Sequence, residues 1–145
     1  MPQPVPYETT IEVRDTCLCL HAQRAARALA RRFDEALRPH GLTNGQFSLL
    51  MALNRPEPPP LGPVAQLLAM DRTTLTAALK PLERAGLVES APNAKDRRSR
   101  LLRLTPEGAA RLAAALPAWR ALHIALEEGL ADPVALREGL RSLSG

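Results

Sequence analysis

The sequence predicts a mainly helical fold with one small two-stranded β-hairpin, and three observations predict it. Aromatic residues are only 3% of the 145, namely Tyr7, Phe33, Phe47 and Trp119. The core must therefore be built from Leu and Ala, which favour helices, whereas strands draw on β-branched and aromatic residues. Apolar residues recur at three- and four-residue steps through most of the chain, the period of a helix with one buried face. Between residues 87 and 105 that period is lost, and two short apolar segments flank a basic tip. With 46% apolar and 23% charged residues, the chain suits a single ordered domain. No apolar run approaches the roughly 20 residues that span a bilayer, so no membrane partner is expected. Met1-Pro2-Gln3-Pro4 lacks the pattern of a signal segment, which points to a cytoplasmic protein.

Each element follows in order. Pro2, Pro4 and Pro6 make an extended arm. From about Thr9 to Arg38 a helix is expected, with Leu18, Ala22, Ala25, Leu29, Phe33, Ala36 and Leu37 on one side, ended by Pro39-His40-Gly41. Thr43 reads as an N-cap, and Gln46 completes a capping box for a helix through Phe47, Leu50 and Met51. The run Arg55-Pro56-Glu57-Pro58-Pro59-Pro60 is a rigid loop. A short helix from Gly62 to Ala69 turns Val64, Leu67 and Leu68 inward. Asp71 then caps a helix with Leu75, Ala78, Leu79 and Leu82 inside, stopped at Ala85-Gly86. Leu87–Ser90 and Arg100–Thr105 are the two strands. Thr105-Pro106 opens a long Ala/Leu helix towards Gly129, bent at Pro117, and Asp132-Pro133 starts a last helix to about Leu143.

The charge is concentrated. Residues 71–105 hold Arg72, Lys80, Arg84, Lys95, Arg97, Arg98, Arg100 and Arg103 against Asp71, Glu83, Glu89 and Asp96, and this excess equals the whole formal charge of +4. A local cationic excess on an otherwise neutral chain is what phosphate neutralisation needs, although a solvated basic face would look the same. The order of elements adds to it. A short helix, a tight turn, a capped helix and a basic-tipped hairpin make a winged helix-turn-helix. In that arrangement Arg72, Thr73, Thr74 and Thr76 face a major groove, Lys80 reaches the flanking backbone, and Lys95, Arg97, Arg98 and Arg100 bring cations to a neighbouring minor groove.

Met70-Asp71-Arg72-Thr73-Thr74-Leu75-Thr76, Leu82-Glu83-Arg84-Ala85-Gly86-Leu87-Val88, Asp96-Arg97-Arg98-Ser99-Arg100 and Leu104-Thr105-Pro106-Glu107-Gly108 together resemble the MarR family of transcriptional regulators. The resemblance implies one domain over 1–145, with dimerisation helices at about 9–42 and 106–145 and a winged part at about 43–105. It further implies a triangular homodimer on a palindromic double-stranded DNA operator, with Asp96 bracing the wing arginines and Arg98 entering the minor groove. Pro81 departs from the pattern and is expected to kink the recognition helix. Independently, Leu112, Leu116, Trp119, Leu122, Leu126 and Leu130 form an apolar stripe that suits either a partner or helix one of the same chain.

Two sensing chemistries remain open. Cys19 falls where the organic-hydroperoxide-sensing branch of the family keeps its reactive cysteine, but Gln23, Phe33 and Asn44 stand where that branch has tyrosines. Cys17 and Cys19, two apart in one helix, would point to nearly opposite faces, so neither a shared metal nor a disulfide fits, and both could equally be small buried hydrophobes. Many relatives bind aromatic acids or phenolic compounds in a crevice, for which Arg14, His21, Arg24, Phe47 and Trp119 are candidates; Trp119 also suits the core. His21, His40 and His123 lack metal-ligand spacing, no cofactor is expected, and no Gly-rich phosphate loop or paired carboxylates suggest an enzyme. A winged module that binds protein rather than DNA is the alternative.

Overall fold

The computed structural model describes residues 1–145, which form seven α-helices and one antiparallel hairpin. They are α1 (Tyr7–Thr16), α2 (Leu18–Leu37), α3 (Asn44–Leu53), α4 (Leu61–Leu67), α5 (Arg72–Arg84), β1 (Val88–Pro92), β2 (Arg100–Leu104), α6 (Pro106–Glu128) and α7 (Pro133–Leu143). The fold is mainly helical with a small β-wing, as the composition predicts. Val88 pairs with Leu104 and Pro92 with Arg100 at the two ends of the hairpin.

Most element boundaries follow from local chemistry already visible in the sequence. The Thr43 hydroxyl accepts from the Gln46 amide at 3.2 Å while the Thr43 amide donates to the Gln46 side-chain oxygen at 3.1 Å, a full capping box on α3. Gly41 (φ 69°) closes the turn after α2 in the left-handed region. Thr105 and Asp132 cap α6 and α7 through the Gly108 and Ala135 amides. Both α5 and α6 run through their internal prolines, Pro81 and Pro117, without losing helical assignment.

Three expectations need correction. The first long helix is two: it breaks at Cys17, whose ψ of 111° is extended. The Thr16 hydroxyl bonds back to the Glu12 carbonyl at 2.6 Å, which competes with helix continuation. The Cys17 thiol then caps α2 by accepting from the Leu20 amide at 3.4 Å. The opposite-faces argument for Cys17 and Cys19 consequently fails, because Cys17 lies outside the helix that carries Cys19. Leu67 points outward rather than inward, at 62% exposure; Val64 and Ala65 take the buried face of that short helix.

Seventeen buried residues form one core under the winged part, dominated by Leu37, Leu50, Leu75, Leu82, Leu87 and Leu102. The apolar stripe of α6 divides. Leu112 is buried and Leu116 and Trp119 pack on the core, while Leu130 stays exposed. Neither α1 nor α7 buries a single residue, and Val13, Leu18, Ile124, Val134, Leu136, Leu140 and Leu143 are all exposed.

Candidate nucleic-acid interface

The turn between α4 and α5 is tight. Met70 donates to the Ala65 carbonyl at 2.9 Å, and Ala69 adopts φ 52°, a conformation that L-residues rarely take. It delivers the N-terminus of α5 to the surface, with Arg72, Thr73, Thr74, Thr76 and Lys80 all exposed. Asp71 caps this end through the Thr74 amide at 2.7 Å and also accepts from the Thr74 hydroxyl at 2.9 Å. Thr74 is thus engaged in holding the helix start, whereas Arg72, Thr73, Thr76, Ala77 and Lys80 line an open hollow on its outer face.

The Asp71 bonds hold its carboxyl below the usual aspartate range, the Thr74 amide contributing most and the Thr74 hydroxyl next. A carboxyl lowered on folding adds stability that is complete above its unfolded value and is lost as pH falls through the folded one. Asp34 has the same sign, held down first by the Asn44 amide and then by its side chain. Acid titration of melting temperature should therefore fall below about pH 4. An Asp71→Asn variant, which retains an acceptor without the titrating charge, should fall less steeply, and equal slopes would remove Asp71 from the acid response.

The wing tip is shaped by backbone chemistry. Asp96 accepts from the Arg98 amide at 2.9 Å, and Ser99 donates to the Asp96 carbonyl at 3.1 Å. Asp96 does brace the tip, but through the backbone of Arg98 and not through a guanidinium, because a side chain two residues away reaches the amide first. Arg98 lines a cleft of about 360 Å³ between α5 and the wing, together with Arg72, Thr76, Lys80, Glu83 and Arg100. Arg100 is oriented by Ser90, donating to its hydroxyl at 3.0 Å and its carbonyl at 3.2 Å. No signal in the sequence marks Ser90, since the pair forms only across the hairpin. Gly62 is a second such residue: a Cβ there would sit 3.4 Å from the Arg72 guanidinium.

Pairing separates the basic residues. Arg103 is neutralised by Glu89 on the outer wing. Arg72, Arg84, Lys80, Lys95, Arg97, Arg98 and Arg100 have no carboxylate within 4.0 Å. Four of them, Arg72, Lys80, Arg98 and Arg100, border the same cleft. Unpaired cations gathered around a concave surface can neutralise phosphates without first breaking internal ion pairs.

The remaining candidates fall into separate groups. Cys19 is exposed, and Gln23 donates to its sulfur at 3.3 Å. Asn44 is not at the thiol; it donates to Asp34 from its amide and side chain at 2.7 and 2.8 Å, and Phe33 packs on the core. Phe47 and Trp119 stack with centroids 6.0 Å apart, and His123 stacks on Trp119 at 4.7 Å. His21 and Arg24 share an open hollow with Arg27 and Arg31 on α2. Arg14 pairs with Asp15 on α1. The five crevice candidates therefore do not converge on one substantial cavity within a single chain.

Comparison with known proteins agrees with this geometry. Residues 42–99 match the family model described as MarR family. The transcriptional regulator MosR of M. tuberculosis, in complex with DNA, is similar over 89% of this chain and 94% of its own, at 36% identity and a TM-score of 0.83. A cysteine-to-serine mutant of E. coli MarR, complexed with operator DNA, is similar over 90% and 94% respectively, at 29% identity and a TM-score of 0.78. The transcriptional activatory protein BadR of Rhodopseudomonas palustris is 35% identical over 88 residues, 59% of this chain. That match spans about half of BadR's length.

Proposed function

This chain belongs to the MarR family of transcriptional regulators, and on that premise we propose that it works as a cytoplasmic homodimeric repressor that binds a palindromic operator through the cleft between α5 and the wing. The observation that carries this is the set of four unpaired cations, Arg72, Lys80, Arg98 and Arg100, bordering that cleft. A wing serving only protein contacts needs no such set. Membership of a family of regulators also favours a regulator over an enzyme. The homodimer rests on α1 and α7, which bury nothing within one chain and leave Val13 on α1 and Val134, Leu136, Leu140 and Leu143 on α7 exposed. No helix is long and apolar enough to cross a membrane.

The test is a salt titration of binding to a duplex selected from randomised sequence, alongside sedimentation of the free protein. A dimer with steeply salt-dependent, sequence-selective binding is expected. A monomer, or binding that ignores both salt and sequence, would refute the reading and favour the protein-interaction alternative.

Release follows from oxidation of Cys19 or from an aromatic or phenolic ligand, and one observation favours oxidation. The thiol is exposed, holds a hydrogen bond from Gln23, and sits just past the helix break at Cys17. A hydroperoxide transfers one oxygen to this thiol, leaving a sulfenic acid and the corresponding alcohol. Cys19→Ser is expected to keep DNA affinity and to lose release by cumene hydroperoxide in a band-shift assay. A variant still released by the peroxide would end the thiol mechanism and leave the small-ligand one.

A further inference from the structure

The turn that joins α2 to α3 is spanned by a polar tether between the two helices. After Leu37 the chain makes a single 3-10 turn, Arg38–His40, passes Gly41, and enters α3 behind Thr43. At the start of α3 the reciprocal bonds of Thr43 and Gln46 satisfy those two amides and leave the Asn44 amide open. Asp34, one turn before the end of α2, reaches across ten residues, and its Oδ1 accepts from both the amide and the side chain of Asn44, at 2.7 and 2.8 Å. On the other side Arg111 of α6 donates to the His40 carbonyl at 3.4 Å. These side chains add polar bonds to a joint already held by the buried Leu37 and Leu42 and by the Leu42 amide's bond to the Leu37 carbonyl at 3.4 Å.

The Asp34 bonds run from one helix to the next, so besides filling that open donor they fix the angle at which α3 leaves α2. The carboxylate sits near the positive end of the α3 dipole, which strengthens the hold. α2 belongs to the arm and α3 to the module that carries α5 and the wing, so this angle is transmitted to both DNA-contacting elements. From this interhelix tether we infer that Asp34 is a positioning residue that fixes the reading head on the dimerisation arm and thereby the half-site spacing the dimer accepts. The inference rests on the homodimer reading above. Two recognition helices must meet successive major grooves about 34 Å apart, and one inserted base pair moves a half-site by about 3.4 Å and 35°. A joint held by two short charge-assisted bonds discriminates between such spacings; a looser one tolerates them.

The experiment uses the full chain and the palindromic duplex obtained by selection, with its centre lengthened or shortened by one base pair, together with a single half-site duplex. The wild type is expected to prefer one spacing by about tenfold. Asp34→Ala should cut that preference to about threefold or less, and Asn44→Ala, which keeps the backbone amide's bond to Asp34, should lower it by a smaller factor, while half-site binding of both stays within about twofold of wild type. Asp34→Asn, which keeps an acceptor oxygen, should recover most of the discrimination. Should Asp34→Ala fail to fold, Asn44→Ala carries the same test from the other end of the bond. Unaltered spacing preference in the alanine variants overturns the role of Asp34. So does a loss on the half-site equal to the loss on the palindrome, which marks a general structural lesion. A wild-type dimer indifferent to spacing also overturns it, whereas a wild-type monomer overturns the homodimer reading beneath it.

Discussion

Gly108→Ala is expected to destabilise the chain by about 3 kcal/mol or more, read from urea unfolding, and to abolish DNA binding with it. A Cβ at this position would lie 2.0 Å from the Leu87 carbonyl oxygen and 2.9 Å from its carbon. Both are backbone atoms, so no side-chain rotation relieves the overlap, and Leu87 is itself only 2% exposed. The same short segment is a crossing of bonds. The Thr105 amide donates to the Leu87 carbonyl at 3.1 Å, the Thr105 hydroxyl donates to the Gly86 carbonyl at 2.5 Å, and the Gly108 amide donates to the Thr105 hydroxyl at 3.0 Å. Pushing α6 away from Leu87 therefore breaks the contact that sets the end of α5, the root of the wing and the start of α6 relative to one another. Gly45 and Gly139 supply the control, because nothing lies within 4 Å of a Cβ at either. Alanine at these two helical positions should be neutral or stabilising by up to about 1 kcal/mol. A Gly108→Ala protein as stable as wild type would mean that α6 is free to move off Leu87.

The contrast between Thr43 and Gly108 shows what a linear sequence conveys. Thr43 and Gln46 are three residues apart, and a capping box is complete within that span. The same holds for the Asp71 cap, the left-handed stops at Gly41 and Gly86, and the order of helices and strands that identifies the winged part. Gly108 stands in a motif that is legible as a family likeness, but its reason is a tertiary approach to Leu87, twenty-one residues earlier. Ser90 and Arg100 meet only because the hairpin register sets Pro92 opposite Arg100. Asp34 and Asn44 meet only because a single turn of 3-10 helix separates α2 from α3.

Periodicity misled in one place for a definable reason. The apolar spacing begins at Leu18, just past the break, so it does not test whether the residues before Cys17 continue the same helix. The cue lay instead in Thr16, whose hydroxyl competes for a backbone carbonyl. The role of Thr74 was similarly hidden. As a residue type it suits a groove, but its position three after Asp71 commits its amide and hydroxyl to the cap.

That commitment separates two kinds of threonine and gives the second large prediction. Arg98→Ala should weaken binding to the selected operator by about 1–3 kcal/mol, most strongly where the flanks are A·T-rich, because a narrow minor groove concentrates negative potential around a guanidinium. Its backbone amide stays bonded to Asp96, so the substitution removes the cation without reshaping the tip. Lys80→Ala, on the opposite wall of the cleft, should weaken all duplexes alike and lower the salt slope by about 0.9 for the phosphate contact it loses. Thr76→Val should change which bases are preferred in a randomised-site selection, since the Thr76 side chain lines the outer hollow and no cap holds it. Thr74→Val should leave base preference intact and lower thermal stability instead, through the lost bond to Asp71. If the two threonines exchange these effects, the start of α5 meets DNA in a different orientation from the one its cap imposes. If Arg98→Ala binds as tightly as wild type at every salt concentration, the wing does not reach the duplex and the cations of the cleft act from α5 alone.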